Sequence, residues 1–253
     1  MKRSLLTMAV VGILYALASP FVLLWDFQVF FYPAFVELAH GRTPYTVPGV
    51  YNAPWGLLPF APLGFLPYPV AKALFVALMA IGIYSVPIML GFPKWATFLY
   101  LCSPPVLFCL WFGNLDWVPL LGLLVAPFPF GVLLAMVKPH VGIGLVLFWM
   151  VTRKDRALVA AWTLACVALS LLFFGDWPRA FFTAMPRQVF VKNVSLWPFG
   201  IVGGVLLLGL AVKWRKPVLA LASSPFFSPY VLFYSYSGTM LGLASLGAKH
   251  DHS

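Results

Sequence analysis

Residues 4–25 read SLLTMAVVGILYALASPFVLLW, and Asp26 follows directly. The run contains no charged side chain, and about 20 apolar residues are enough for a helix to cross the hydrocarbon core of a bilayer. It also resembles a secretory signal peptide, because Lys2-Arg3 precedes it and Ala-Leu-Ala at 16–18 resembles a cleavage site. The apolar run continues to Trp25, beyond the length of a signal peptide core. This length favours a retained transmembrane helix.

The rest of the chain repeats this pattern of long, charge-free segments. Further charge-free stretches of at least 19 residues cover 43–71, 73–93, 95–115, 117–137, 157–175, 193–212 and 217–248. A shorter one, 139–152, is sufficient for a partial or tilted span. Segments of this length and composition are transmembrane candidates.

The composition of the 253-residue chain excludes two broad classes of protein. Hydrophobic residues make up 62% of the chain and charged residues 9%, whereas a soluble domain is about 45–50% apolar and about 25% charged. A soluble fold of this size cannot bury so much apolar surface, and disorder requires low hydrophobicity. We therefore predict an all-α fold, a polytopic transmembrane helical bundle of about 8–10 spans, forming a single integral-membrane domain over 1–253.

Proline makes some of these spans irregular. The 43–71 stretch contains Pro44, Pro48, Pro54, Pro59, Pro62, Pro67 and Pro69. Only about 55–68 of this stretch is expected to enter the membrane, and the short, Pro-rich segments are compatible with re-entrant structure.

Lysine and arginine predict the orientation of the bundle. The dense clusters lie at 2–3, 153–156 and 213–216, and the positive-inside rule places them in the cytoplasm. The N-terminus is then cytoplasmic, and the multi-pass chain has its first extracytoplasmic loop at 26–54 and a second larger one at 175–196.

The positive charge itself has a simple interpretation. The formal net charge is +10, but no basic run is interleaved with exposed aromatic residues as nucleic-acid binding requires. The positive-inside rule and contacts with lipid headgroups account fully for the cytoplasmic clusters and partly for the positive charges on the outer side. Membrane lipids are therefore expected partners, and nucleic acid is not.

Cysteine gives no sign of a metal site, and metal dependence stays open. Cys102, Cys109 and Cys166 lie in apolar segments without metal-ligand spacing, which is typical of small buried hydrophobic residues. Asp176 could join Asp26 or Glu37 around a divalent cation, but no ligand spacing supports one.

The first extracytoplasmic loop begins with FQVFFYPAFVELAH at 27–40. Pro33 suits the first turn of a helix and Gly41 suits its C-terminal end, which predicts a short interfacial helix over about 32–40. Glu37 and His40 are three residues apart and share one face of this helix. With Asp26 and Arg42, they gather near one membrane face, although an amphipathic surface helix without activity has the same pattern.

Asp26 supports two interpretations when its position alone is considered. It is either an interfacial charge that ends a span beside an aromatic belt, or a general base held at the membrane surface. Position alone favours neither.

The motifs after Asp26 resemble a known family. Tyr-Pro-Ala at 32–34, Gly-Arg-Thr-Pro-Tyr at 41–45, and Tyr51 with Pro54 follow it in order. This pattern is similar to the C-type integral-membrane glycosyltransferases, particularly their polyprenyl-phosphate-mannose-dependent mannosyltransferase branch. Ser-Pro-Pro at 103–105 with Gly-Asn at 113–114, and Lys-Pro at 138–139, also resemble family motifs, with Asn114 in place of a glutamine. The chain is short for this family, and the resemblance covers about 20–152.

The resemblance implies an inverting transfer of a sugar, such as the hexose mannose, from a polyprenyl-phosphate donor to a lipid or glycan acceptor. Asp26 would remove the proton from the acceptor hydroxyl. Fixed positive charge would stabilise the departing lipid phosphate. The residues expected to bind the donor phosphate are Arg42, Lys138, His140, Arg179 and Arg187. The expected supporting residues are Glu37, His40, Tyr45, Tyr51 and Asn114.

Several alternatives remain open at this point. A transporter or flippase is compatible with broken helices, although the two halves show no convincing repeat, and a non-catalytic membrane subunit is compatible with the short chain. Lys138 is also compatible with a span end that extends its side chain to the interface. Strict counting of spans places Asp116 on the cytoplasmic side, whereas the resemblance favours Gly113 and Asn114 near the active cavity.

Overall fold

The computed structural model describes residues 2–50, 52–126, 128–179 and 192–247, and it confirms the predicted all-α fold. Within these ranges every regular element is helical and no strand is present. The α-helices are α1 Lys2–Ala18, α2 Tyr32–Ala39, α3 Pro54–Leu57, α4 Tyr68–Met89, α5 Lys94–Leu101, α6 Pro104–Phe112, α7 Val118–Leu121, α8 Gly131–Ala135, α9 Pro139–Thr152, α10 Arg156–Phe174, α11 Gly200–Trp214, α12 Pro217–Ser223 and α13 Ser237–Gly247.

Tighter or wider helical turns connect several of these helices. A π-helical segment, Phe27–Phe31, leads directly into α2. The 3₁₀ segments are Ser19–Phe21, Pro44–Thr46, Leu58–Phe65, Leu115–Trp117, Ser224–Phe227 and Phe233–Tyr236.

Long membrane-spanning helices are fewer in the described residues than the charge pattern predicts. By length and composition, α4 and α10 are sufficient to cross a membrane. The pair α5 and α6, bent by 55°, is a third candidate if it forms one broken span. Other apolar helices are shorter, and they include Leu5–Phe21, Pro139–Thr152 and Gly200–Trp214.

The stretch 117–137 shows why charge spacing overestimates helix length. Instead of one crossing, it contains α7, a series of turns and α8. Pro119 and Pro129 lack the backbone N–H that a continuous helix needs, and Gly122 and Gly131 weaken it further. The α-helix in the stretch 55–68 is also short, because α3 ends at Leu57 and the 3₁₀ segment Leu58–Phe65 follows it.

The predicted surface helix is present as α2. Pro33 lies in its first turn, and Gly41 follows its end with φ +71°, the left-handed conformation that glycine adopts readily. Its position at a membrane interface stays a prediction.

A cluster of aromatic rings holds the segment around Asp26 in place. The ring of Phe27 stacks on Phe75 of α4 at 4.6 Å between centroids, and Phe35 of α2 stacks on Phe60 at 5.7 Å. A methyl group at Gly64 would lie 2.2 Å from the carbonyl oxygen of Phe35, so only glycine permits this close packing. These contacts fix the start of α2 relative to α4.

Close helix packing also brings the C-terminal third towards the centre. In α9, a methyl group at Gly144 would lie 2.1 Å from the carbonyl oxygen of Ala220 in α12. The backbone N–H of Gly144 also donates to Ser224 Oγ at 3.0 Å. The hydroxyl of Thr239 in α13 donates to the carbonyl oxygen of Ala222 in α12 at 3.0 Å. The helix α12 therefore joins α9, which begins just after Lys138, to α13, which follows the 3₁₀ turn that contains Tyr234.

The outer surface of the bundle is strongly apolar. Only 11% of the span within α10 is buried inside the protein. Its exposed side chains include Leu164, Leu172 and Phe173 at 69%, 76% and 74%. Apolar surface of this extent on a helix of this length is typical of contact with lipid.

Candidate active site

Asp26 is a buried carboxylate at the start of the π-helical turn. Only 7% of the residue is exposed. Its Oδ2 atom accepts hydrogen bonds from Asn114 Nδ2 and, at 2.9 Å, from the hydroxyl of Tyr234. Within the described parts of the chain both of these bonds go to Oδ2, so Oδ1 remains available to a ligand.

Asn114 connects Asp26 to a positive charge. Its amide nitrogen donates to Asp26 and to the Tyr234 hydroxyl, the latter at 2.7 Å, while its Oδ1 accepts from Lys138 Nζ at 2.5 Å. The amide is therefore held in one orientation by an ammonium on one side and a carboxylate on the other. The residue itself is 3% exposed.

Gly113 explains how Asn114 reaches this position. It ends α6 in the left-handed conformation with φ +70°. A methyl group there would lie 3.1 Å from Phe27 Cβ, so the backbone turns tightly against the segment that carries Asp26. Any other residue at 113 would be strained by both its backbone angle and its contacts.

Lys138 forms an ion pair with Asp116. Nζ of Lys138 lies 2.7 Å from Asp116 Oδ1, and Ser235 Oγ donates to Asp116 Oδ2 at 2.5 Å. Asp116 is fully buried and Lys138 is 8% exposed. Lys138 stands immediately before α9, in an extended conformation, which is the conformation favoured for a residue that precedes proline.

The position of Asp116 resolves the conflict between strict span counting and the family resemblance. Counting straight crossings places Asp116 on the side opposite Asp26, but both residues belong to one network through Asn114 and Lys138. The count fails because the helices before and after this point are bent and broken by proline and glycine.

The network contains two carboxylates and one ammonium, so the positive charge of Lys138 balances only part of the negative charge when both carboxylates are ionised. Two carboxylates share one ammonium, and buried charges require such pairing and hydrogen bonding to be tolerated. Burial raises the pKa of the Asp26 carboxyl above its ordinary value. Hydrogen bonds from Asn114 and Tyr234 and the charge of Lys138 oppose this rise.

The network opens into a cavity of about 870 Å³, within the size range of ligand pockets in proteins. Its polar lining comprises Asp26, Asn52, Asn114, Lys138, His140, Lys192 and Ser228. Much of the remaining wall is aromatic, from Trp25, Phe30, Phe31, Trp55, Phe108, Phe112, Trp177, Tyr230, Phe233 and Tyr234.

The structure brings some of the predicted phosphate-binding residues together and separates others. Lys138 and His140 line the cavity with Asp26. Arg42 is absent from the described lining, and it instead forms a two-bond ion pair with Glu37 at 2.6 and 2.9 Å. The exposed Arg179 is also absent from that lining. Arg187 lies outside the described residues.

The predicted supporting residues also have separate environments. Tyr45 donates its hydroxyl to the backbone oxygen of Asn52 at 2.8 Å, next to the cavity. His40 Nδ1 lies 2.8 Å from the carbonyl oxygen of Val36, on the exposed surface of α2. Tyr51 lies outside the described residues.

Besides Asp116, whose side of the membrane the sequence left open, two members of the network, Tyr234 and Ser235, were not predicted from the sequence. They lie within the apolar stretch 217–248, where Tyr-Ser-Tyr-Ser at 234–237 forms a local run of hydroxyl groups. Polar side chains inside a membrane segment are a sign of function, so this run was the available signal.

No group of three or more His, Cys, Asp and Glu residues within the described ranges is arranged to hold a metal ion. The network is built instead from carboxylate, amide, hydroxyl and ammonium groups.

Comparison with known proteins assigns the family. The model of glycosyltransferase family 87 matches residues 50–247. The chain belongs to glycosyltransferase family 87. The match includes Asn114, Asp116, Lys138 and Tyr234, whereas Asp26 precedes it and joins the site through its hydrogen bonds. No curated protein and no solved structure matches the chain.

Membership of glycosyltransferase family 87 makes the chain a transferase that moves a sugar from a donor to an acceptor. Together with the long apolar helices, it identifies an integral membrane protein.

Proposed function

We propose that this member of glycosyltransferase family 87 transfers a hexose such as mannose from a polyprenyl-phosphate donor, with inversion, to a lipid or glycan acceptor on the extracytoplasmic face. The observation that carries the proposal is the buried connection between Asp26 and Lys138. One amide, that of Asn114, joins this carboxylate to this ammonium, and all three side chains line the same cavity. A base and a phosphate-binding cation are the two groups that such a transfer requires.

Asp26 is the general base in this mechanism. Its Oδ2 is held by Asn114 and Tyr234, so the carboxylate is oriented before the acceptor binds. Oδ1 then receives the proton of the acceptor hydroxyl. Orientation by fixed neighbours reduces the entropy that the reacting groups lose on the way to the transition state.

The bond changes of the transfer balance without a redox partner. The acceptor oxygen gives its proton to Asp26 and forms a bond to the anomeric carbon of the donor sugar. The bond between that carbon and the phosphate oxygen breaks on the opposite face, and its electron pair leaves with polyprenyl phosphate. Attack opposite the leaving group inverts the anomeric configuration, and Asp26 later returns its proton to water.

Lys138 stabilises the leaving phosphate. Its ammonium carries three N–H donors, and Asn114 and Asp116 occupy two directions around it. The third donor is available to a phosphate oxygen in the cavity, where fixed charge in a poorly solvated site has a large effect on charge that develops in the transition state. His140 and Lys192, which also line the cavity, are further candidates for this contact.

The apolar wall suits a lipid-linked donor. Aromatic and aliphatic side chains surround the polar network, so a prenyl chain can be accommodated beside the charged groups. A nucleotide-sugar donor would bring additional charged phosphate and a polar base, for which this wall offers few partners.

The direct test is to incubate the purified protein with a radiolabelled hexose carried on polyprenyl phosphate or on a nucleoside diphosphate, each with a panel of lipid and glycan acceptors. We expect labelled product from the polyprenyl-phosphate donor and none from the nucleotide donor. Transfer from the nucleotide donor would contradict the proposal. Absence of transfer together with solute uptake into reconstituted vesicles would favour a transporter.

A further inference from the structure

Three side chains that line the cavity, Asn52, Trp55 and Trp177, form a second group together with the neighbouring Tyr45. The indole of Trp55 meets that of Trp177 at 87° between ring planes, with 5.9 Å between centroids. Tyr45 stacks nearly parallel on Trp177 at 15° and 6.1 Å. The hydroxyl of Tyr45 donates to the backbone of Asn52. The first predicted loop therefore contacts the start of the second one.

Both indole rings are fixed by their own hydrogen bonds. Trp55 Nε1 donates to the carbonyl oxygen of Leu133 at 3.0 Å, and Trp177 Nε1 donates to Ser170 Oγ at 2.9 Å. Because the N–H groups are already satisfied, what these side chains offer to a ligand is apolar ring surface. Rigid rings also lose little conformational entropy when a ligand binds.

Asn52 is the polar member of this region. The residue is 8% exposed and lines the cavity. Its side-chain amide has no hydrogen-bond partner among the described residues, yet its atoms are not sealed from the cavity. Buried amides are normally hydrogen-bonded, so this one has donor and acceptor capacity that a ligand can use.

This region adjoins Lys138. Trp55 is hydrogen-bonded to the backbone of Leu133. The next residue, Gly56, packs so closely on Val137 that a methyl group at position 56 would lie 2.6 Å from Val137 Cγ1. Val137 directly precedes Lys138, and the two indole rings line the same cavity as this cation, to which the proposed mechanism assigns the phosphate.

We propose that Asn52, Trp55 and Trp177 form a subsite for a pyranose ring. A pyranose has one face of C–H groups, which suits a fixed indole surface, and hydroxyl groups at its edge, which suit an amide that both donates and accepts. A prenyl chain would use the rings and leave the amide unsatisfied, whereas a phosphate would require cations instead of indoles. The role of this sugar rests on the proposed function, in which both the donor and a glycan acceptor carry a pyranose.

Binding measurements test the subsite independently of turnover. The purified protein, in a detergent that carries no sugar, is titrated with two pairs of probes that differ only in the sugar. The donor pair is polyprenyl-phosphate mannose and the methyl ester of polyprenyl phosphate, which are both phosphodiesters with one negative charge. The acceptor pair is an alkyl mannoside and the corresponding alcohol. We expect the sugar to lower Kd by about tenfold in at least one pair, which corresponds to about 1.4 kcal/mol.

The variants are Asn52→Ala and Trp177→Leu, with Trp214→Leu as the matched control. The indole of Trp214 is 48% exposed and lies outside the described lining of the cavity. We expect the first two variants to abolish the preference for the sugar-bearing probe and the control to retain it, with unchanged melting temperatures for Asn52→Ala and Trp214→Leu.

Each outcome decides the proposal. Loss of preference in the donor pair alone assigns the subsite to the donor sugar, and loss in the acceptor pair alone assigns it to the acceptor sugar. A wild-type protein without preference in either pair, or variants that retain it, would overturn the subsite. Retained sugar preference in a protein that shows no sugar transfer would contradict the proposed function and leave the subsite supported.

Discussion

At the scale of single residues, the ammonium of Lys138 is shared between two buried carboxylates. It contacts Asp116 directly and reaches Asp26 through Asn114. Removing Lys138 alone would leave Asp116 buried without its counter-charge, which typically costs about 3–5 kcal/mol of stability. A variant that tests its catalytic role must therefore also neutralise Asp116.

We predict that Lys138→Met combined with Asp116→Asn folds but binds the donor poorly. Both charges of the ion pair are removed, while the phosphate loses its cation. The expected result is a fall in kcat, because the leaving phosphate loses its stabilising charge. The donor KM should also rise by at least about tenfold, equivalent to about 1.4 kcal/mol, with little change in the acceptor KM. Steady-state kinetics with each substrate varied in turn measures this, and equal changes in both KM values would argue against the phosphate role.

We predict an acidic limb in the pH–rate profile that belongs to Asp26. A base must be ionised to accept a proton, so the rate falls as the pH decreases through its pKa. Burial raises that pKa, and the midpoint in kcat/KM should lie above about 3.9, the ordinary value of an aspartate.

The variant Tyr234→Phe provides a check on this assignment. The hydroxyl of Tyr234 donates to the carboxylate and lowers the pKa of Asp26, so its removal should move the acidic limb to higher pH. If the acidic limb of the pH–rate profile stays at the same pH in Tyr234→Phe, the group that titrates there is not Asp26.

Sequence alone identified part of this network, for reasons that are clear at the residue scale. Asp26, Asn114 and Lys138 stand beside recognisable turn and proline motifs. The contacts of Tyr234 and Ser235 cross more than a hundred residues of sequence, and neither hydrophobic periodicity nor charge spacing carries information about such distant pairs.

At the scale of elements, close packing at glycine positions holds the site together. Gly64→Ala should lower the melting temperature and the rate of transfer, because its methyl group would lie 2.2 Å from a backbone oxygen of α2. Overpacking of this kind typically costs about 1–3 kcal/mol. Displacement of α2 would also move Asp26, which lies at the start of the same helical segment.

The matched control is Gly209→Ala in α11. A methyl group at this position has no neighbour within 4 Å, and alanine is the better helix former. Thermal unfolding followed by circular dichroism should show an unchanged or higher melting temperature for this variant. Equal destabilisation by both substitutions would contradict the packing argument.

The helices themselves were predictable to different degrees. The sequence predicted the helix at 32–40 well, since Pro33 and Gly41 are local signals for its two ends. It predicted 117–137 as one span, because absence of charge says nothing about where proline and glycine interrupt the backbone. The bent and broken elements are the ones that place Asn114, Asp116 and Lys138 in the cavity.

At the scale of the whole molecule, the proposed function requires a defined orientation in the membrane. We predict that Lys154 faces the cytoplasm and Thr46 the opposite side, as the positive-inside rule indicates. Both side chains are exposed. Single-cysteine variants Lys154→Cys and Thr46→Cys, in a background lacking Cys102, Cys109 and Cys166, would be treated with a membrane-impermeant maleimide.

In intact cells, we expect labelling of Thr46→Cys only, and labelling of Lys154→Cys after permeabilisation. Labelling of both positions in intact cells, or of Lys154→Cys alone, would contradict the orientation. Labelling of Lys154→Cys alone would place the cavity on the side opposite to the proposed one.

The rate of sugar transfer by Asp26→Asn tests most directly whether Asp26 is the general base. Asparagine preserves the shape of the side chain and removes its basicity, and general-base catalysis typically contributes about 10²–10⁴-fold to a rate. We predict that kcat from polyprenyl-phosphate mannose falls by at least about a hundredfold while the protein's abundance and melting temperature are maintained. Transfer by Asp26→Asn at the wild-type rate would contradict the assignment of Asp26 as the base.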